Sequence, residues 1–291
     1  MASDGLTSAG ATLEQRAERQ RLLGLVPVLA LIGLLFMVPL FVLGRYAFFT
    51  PDFDLGAFER ILTTTAYLRV LLFSAKVSLY VTVICAIIGY AIALLLLVSS
   101  DFVKRMLLLA VILPYFTSTL VRTYSWMLLL GSNGLINTTL MRLGLTERPI
   151  QFMYNELGVV IGMSYVMIPY MTLTVYANLK AIDQRVIQAS FSLGASALYT
   201  FWRVILPLSV PAIVAGVLLV YLLSIGFYVT PALMGGTSNV MIGVLIAQEL
   251  EVAGNWSMAS ALSIVLLAAA LVIFAVYSRV LKISSMFGVE K

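Results

Sequence analysis

Residues 186–213 read VIQASFSLGASALYTFWRVILPLSVPAI, a polar interruption between two long apolar runs. Gln188, Ser190, Ser192, Ser196, Thr200 and Arg203 are spread through it, so no unbroken apolar run approaches the roughly 20 residues that a spanning helix needs. The stretch therefore belongs outside the bilayer, and Pro207 and Pro211 set where a following helix begins. Asp183 is placed to cap a first short helix, Gly194 to turn the chain, and Ser196 to cap a second. Two such helices, with Phe191, Leu193, Ala195 and Leu198 near their tip, form a projection suited to a groove on a partner protein. The plainer alternative is a solvated connection between two crossings.

The chain around this loop is that of an integral membrane protein. Of its 291 residues 62% are hydrophobic and 11% charged, with a mean hydropathy of +1.05, whereas soluble domains carry about 25% charged residues. The 18 Lys and Arg exceed the 13 Asp and Glu, but they sit singly between apolar runs, a pattern of membrane topology rather than of nucleic-acid binding. The sequence contains no histidine, which excludes the usual zinc sites and a Ser-His or Cys-His triad; no catalytic or metal residue is assigned. The single cysteine, Cys85, lies in an apolar run and has no partner in the chain. No lysine follows a glycine, so a P-loop is absent. ATP-driven work would need a separate subunit that carries the ATP and magnesium.

In order, residues 1–21 form a polar N-terminal tail; a signal peptide is the alternative, with Leu43-Gly44-Arg45 a poor cleavage site. The apolar runs predict six transmembrane helices within 22–281: Leu22–Gly44, Leu71–Val98, Met106–Leu130, Leu157–Leu179 with a break or kink near Pro169, Val210–Val229 and Ala259–Leu281. Residues 282–291 form a short tail. Gly131–Glu156 is a loop with a turn at Asn133-Gly134 and an amphipathic middle, and Thr230–Met258 either re-enters or lies along the outer surface. With both termini cytoplasmic, Arg16, Arg19, Arg21, Lys104, Arg105, Lys180, Arg185, Arg203, Arg279, Lys282 and Lys291 fall inside. Only Arg45, Arg60, Arg69, Arg142 and Arg148 then fall outside. This bias is the positive-inside pattern, and it puts the loop of about residues 181–209 in the cytoplasm.

Gln188-Ala189-Ser190, three residues, Gly194, nine residues, Val204, one residue and Leu206-Pro207 resemble the EAA loop of ABC-importer permeases. There the pattern is Glu-Ala-Ala, three residues, Gly, nine residues, Ile, one residue, Leu-Pro. Gln188 departs from the Glu, Ser190 from the second Ala and Ser192 from a common Asp. The stretches WMLLLGSNGLIN (126–137), Ile168-Pro169-Tyr170-Met171 with Ile182-Asp183, and VTPALMGG (229–236) look like the spermidine/putrescine branch of that family, which shares them with permeases for opines and other amines. The resemblance spans about residues 20–281 and implies an all-α MetI-like permease fold in a bacterial inner membrane. It also implies a second homologous permease as heterodimer partner, two ATPase subunits and a soluble periplasmic binding protein. Gln188, Ala189, Ser190, Leu193, Gly194, Ala195, Val204, Leu206 and Pro207 are then the ATPase-coupling residues.

For the path itself, ionisable residues within a membrane usually face a cavity or a partner. Lys76 stands near the outer end of its helix, where snorkelling is expected; Arg122 is deeper and reads as an ion pair or a gate. Trp126, Tyr165, Tyr221, Phe227 and Tyr228 are aromatic candidates for holding an ammonium, the alternative being lipid-facing packing, and Glu249 is an outer acid on the same side. The outer acids, Asp52, Asp54, Glu59, Glu147, Glu156, Glu249 and Glu251, slightly outweigh the outer bases and would attract a polyamine. Gly158 and Gly162 form a G-x-x-x-G pair, read as a close helix contact. Two other classes stay open: a transporter or channel working alone, and a membrane enzyme, for which no catalytic constellation is present.

Overall fold

The computed structural model describes residues 4–49 and 52–286, with side chains described for 26–49 and 52–279. Residues 287–291, with Lys291, and the side chains of Arg16, Arg19, Arg21 and Lys282 lie outside the described residues. Among the described residues there are thirteen α-helices: α1 (Asp4–Phe48), α2 (Gly56–Thr63), α3 (Thr65–Val98), α4 (Asp101–Ile112), α5 (Thr119–Leu130), α6 (Leu135–Arg142), α7 (Glu156–Ala181), α8 (Gln184–Ser192), α9 (Ala197–Thr200), α10 (Leu206–Ile225), α11 (Val229–Met234), α12 (Ile242–Ala247) and α13 (Trp256–Met286). Among the described residues five helical segments are long and apolar enough to cross a membrane, and a bent pair of helices makes a sixth when it is counted as one span.

α3, α7 and α10 pack together as the centre, and the reason lies in small residues at the seams. A Cβ on Gly89 of α3 would stand 2.9 Å from the Met171 Cβ of α7, and one on Gly216 of α10 would stand 2.5 Å from the Met171 sulfur. Met171 is fully buried, a flexible filler between three helices that only glycine lets approach so closely. Val77, Val81, Val159, Met163 and Val175 extend this core. A second, smaller core of Ala47, Ile61, Ile242, Met258, Ala261 and Leu262 joins α1, α2, α12 and α13. The Val26–Phe48 part of α1 otherwise exposes its apolar side chains, as a lipid-facing helix does.

The structure corrects several sequence expectations. The third crossing is not one helix: Asp101–Phe116 and Thr119–Arg142 meet at 108°. Pro114 begins a 3₁₀ turn at Leu113–Phe116, and Thr117 and Ser118 then adopt extended backbone, so the helical ladder stops and restarts. The fourth crossing, by contrast, runs from Glu156 to Ala181 with Pro169 inside it, its surroundings on α3 and α10 holding the rod together. The second crossing starts at Thr65 and has 34 residues, about 51 Å of helix at 1.5 Å per residue, so it outreaches the hydrocarbon. The fifth starts well before Val210: Ala197–Ile225 is a single span-length helical segment, and its Phe201–Ile205 stretch is a π-turn. Pro207 follows that wider turn, which relieves the clash a proline ring makes with the preceding helical carbonyl.

The polar segment between the fifth and sixth crossings folds inward. Thr230, Pro231, Met234, Met241, Ile242 and Val244 are buried, and the Ser74 hydroxyl of α3 accepts the Ile242 N–H at 2.7 Å, capping α12 from another helix. The G-x-x-x-G pair divides its roles. Gly162 admits Thr230 and Met234 of α11, with a hypothetical Cβ 2.7 Å from each, whereas Gly158 lies against the Phe152 carbonyl of its own preceding loop.

Candidate functional site

α8 begins at Asp183, whose carboxylate accepts the Arg185 N–H at 2.9 Å. It ends with the Ala195 N–H bonded to the Ser190 carbonyl at 3.1 Å and the Gly194 N–H to that of Phe191 at 2.9 Å. Gly194 itself has φ +83°, the left-handed turn that glycine adopts without strain. The Ser196 hydroxyl then accepts the Tyr199 N–H at 3.3 Å and starts α9. Across this turn the hydroxyls of Ser190 and Thr200 stand 2.9 Å apart. The loop is therefore a helical hairpin, but its second arm is the beginning of the fifth crossing rather than a separate helix.

The tip is apolar and open: Leu193 is 88% exposed and Leu198 68%. Gln188, Ala189, Gly194 and Pro207 are exposed as well, while Ser190, Ala195, Val204 and Leu206 are half-buried against the hairpin's own arms and the helices below. At the foot, Ser209 donates to the Leu206 carbonyl at 2.9 Å and meets the Tyr90 hydroxyl of α3 at 3.0 Å. The Tyr90 ring lies edge-to-face with Phe201 at 6.2 Å. A displacement of the tip would thus move α10 directly and reach α3 through Tyr90.

A second constellation forms at the bend of the third crossing. Arg122 stands in the first turn of α5 and lines two cavities. One, of about 110 Å³, is bounded by Tyr115, Thr119, Tyr170 and Phe227; the other, of about 320 Å³, by Thr117, Ser125, Trp126 and Tyr165. Tyr115 packs edge-on to Tyr170 at 5.1 Å and Trp126 to Tyr165 at 5.3 Å. Four expected path residues, Arg122, Trp126, Tyr165 and Phe227, are brought together here. Tyr221 and Tyr228 line neither cavity, and Glu249 instead accepts a hydrogen bond from Tyr67 at 3.1 Å.

The Lys76 ammonium pairs with Glu156 at 2.7 Å and lies 5.5 Å and 5.9 Å from the Phe73 and Tyr80 ring centres. Residues that sequence reading passed over hold the outer parts in place. The buried Asn137 side chain bridges the Gly131 carbonyl and both backbone groups of Ile150, and Thr123 and Thr230 share a buried hydrogen bond at 3.2 Å. Among the described residues no group of His, Cys, Asp and Glu is placed to hold a metal.

A membrane-spanning helical core of α3, α7 and α10 with a hairpin growing from the fifth crossing is the fold of binding-protein-dependent importers, and residues 86–284 match the family model described as binding-protein-dependent transport system inner membrane component. The chain belongs to that family: it is an inner-membrane permease subunit of an ABC importer. Among its relatives is the spermidine/putrescine transport system permease protein PotB of Haemophilus influenzae, 36% identical over 217 residues, covering 75% of this chain and 76% of that one. The PotB of Escherichia coli K12 is 34% identical over 244 residues, covering 81% and 88%. A putative 2-aminoethylphosphonate transport system permease protein of Salmonella choleraesuis is 26% identical, covering 88% and 91%. In structure, the chain resembles a bacterial ABC transporter involved in import of the acidic polysaccharide alginate, with a TM-score of 0.73 at 17% identity over 92% of this chain and 97% of that chain.

Proposed function

We propose that this subunit imports a polyamine of the spermidine/putrescine class. A periplasmic binding protein delivers the cargo, and a second homologous permease supplies the other wall of the path. Two ATPase subunits, which carry the ATP and magnesium, drive the cycle through the 188–207 hairpin. The likeness to two permeases of spermidine/putrescine systems over three quarters or more of the chain carries the cargo assignment. The coupling assignment is supported by the continuity of the Leu198 side of the exposed tip with the fifth crossing: a push on Leu198 needs no flexible joint to reach the membrane, and Leu193 acts through the Gly194 turn and the Ser190–Thr200 contact. The Trp126–Tyr165 pair suits an ammonium through its ring faces.

A second reading, another amine that also bears an anionic group, is favoured by Arg122 in the cavities and by the aminoethylphosphonate relative. Proteoliposomes containing this chain, its second permease and the ATPase subunits, supplied with the binding protein, should take up radiolabelled spermidine or putrescine only with ATP inside. Uptake by this chain alone would overturn the ATP-driven, paired assembly, and a binding protein that holds only anions would overturn the polyamine assignment.

A further inference from the structure

Arg122 and Lys76 are both cations of membrane-crossing segments, and their surroundings differ. Lys76 has its carboxylate, Glu156, at 2.7 Å. The Arg122 guanidinium has one hydrogen bond, from Nη2 to the Thr119 hydroxyl at 3.1 Å. Its Nε is buried with no partner, and among the described residues no carboxylate lies within 4.0 Å of it. Its place in the first turn of α5 adds the positive end of that helix to the same spot. Leaving a guanidinium uncompensated in a membrane interior costs several kcal/mol, and the ring faces beside it offset only part of that charge.

We propose that Arg122 is completed by a carboxylate of the second permease subunit, reaching across the path, and that this ion pair closes the path at rest. The proposal rests on the paired-permease reading above. A guanidinium is a planar fork that a carboxylate matches with two parallel bonds, which suits a latch with one defined closed geometry. An arriving polyamine carries ammonium groups that compete for the same carboxylate, while Trp126 and Tyr165 receive its charge on their ring faces. Cargo thereby exchanges one cation for another at the carboxylate, and the released Arg122 guanidinium faces the cavities it lines, where water of the opened path solvates it.

The test uses the complete transporter with its binding protein in proteoliposomes. Arg122→Glu should lower uptake at least about tenfold, the scale expected when one member of a desolvated charge pair is replaced by its opposite. Replacing one Asp or Glu in the membrane segments of the second permease by Arg should restore most of that uptake. Should Arg122→Glu not assemble, Arg122→Gln is combined with the amide variant of each such carboxylate, and one double variant should lose no more than either single one. Arg122→Gln should also let a pH-sensitive dye inside the vesicles respond without ATP. If no carboxylate of the partner couples to Arg122 and the vesicles stay tight, the latch is wrong. If the chain does not assemble with a second permease at all, the paired reading beneath it has failed instead.

Discussion

The Ser190 and Thr200 hydroxyls meet at 2.9 Å across the turn of the 186–213 hairpin, so the residue that departs from the family's second alanine is the one that clips the two arms together. Thr200 is only 1% exposed, and Ser190 gives its hydroxyl a partner. Ser190→Ala should therefore weaken the hairpin by about 1–3 kcal/mol, the cost of an orphaned buried polar group. Ser190→Ala combined with Thr200→Val should recover part of that loss, because no polar atom is then left unpaired. Proteolysis of the hairpin in the assembled transporter reads both effects.

Gly194 has φ +83° and nothing within 4 Å of where a Cβ would stand, so its requirement is conformational rather than spatial. Gly194→Ala should cost about 1 kcal/mol and Gly194→Asn less, since Asn tolerates the left-handed region. Gly194→Asp adds a charge to the apolar tip and should abolish uptake while ATP hydrolysis by the ATPase subunits persists or the complex fails to form. Unchanged uptake in Gly194→Asp would argue against coupling through this hairpin.

Met171 separates two glycine contacts that look alike in sequence. A Cβ at Gly89 meets the Met171 Cβ at 2.9 Å, whereas one at Gly216 meets the sulfur at 2.5 Å. Both Gly89→Ala and Gly216→Ala should destabilise the core by roughly 1–3 kcal/mol through overpacking. Met171→Ala should rescue Gly216→Ala, because it removes the sulfur, and should not rescue Gly89→Ala, because the Cβ remains. Thermal unfolding of the purified transporter in detergent measures each.

Asn137 is fully buried and makes three hydrogen bonds of 2.8 to 3.0 Å that join the Gly131 turn to Ile150. Asn137→Asp keeps the acceptor but loses both donors and sets a buried charge against the Gly131 and Ile150 carbonyls, which keep only the Gly134 and Phe152 N–H groups, so it should be worse than Asn137→Ala. Each should cost at least about 2 kcal/mol and expose the 143–151 loop to protease added from the outer side.

Cys85 is fully buried, with its sulfur 3.6 Å from the Ser164 carbonyl. A membrane-permeant maleimide should label it only as fast as the α3–α7 seam opens, so the rate should rise in Gly89→Ala and be unchanged in Gly194→Ala.

Much of the architecture was legible along the chain because bilayer crossing is a linear constraint: each span must be a long apolar run, and Arg and Lys mark the inner ends. Pro114 and Pro169 show where that logic stops. Each removes one backbone donor from an apolar run, yet α7 carries Pro169 through its middle while the third crossing turns by 108° just after Pro114. The difference lies in the neighbours. Pro169 is buried within a helix held by α3 and α10, whereas Leu113 and Phe116 beside Pro114 are largely exposed and Tyr115 alone packs inward, on Tyr170. For the path, residue type alone put Tyr221 and Glu249 beside Trp126; only the helix register assigned Glu249 to Tyr67.

The hairpin at 186–213 divides the two kinds of information most clearly. Its spacing, its caps at Asp183 and Ser196 and its turn at Gly194 are local, each set by residues a few positions apart, so the sequence by itself determined them. That Pro207 lies within a continuous rod from Ala197 to Ile225, that Ser190 clips Thr200, and that Ser209 meets Tyr90 were decided by the tertiary structure. These depend on side chains brought together from distant parts of the chain, or on packing that sustains a wide turn before a proline. Local chemistry chose the elements; the contacts between helices decided how a push on the tip reaches the membrane.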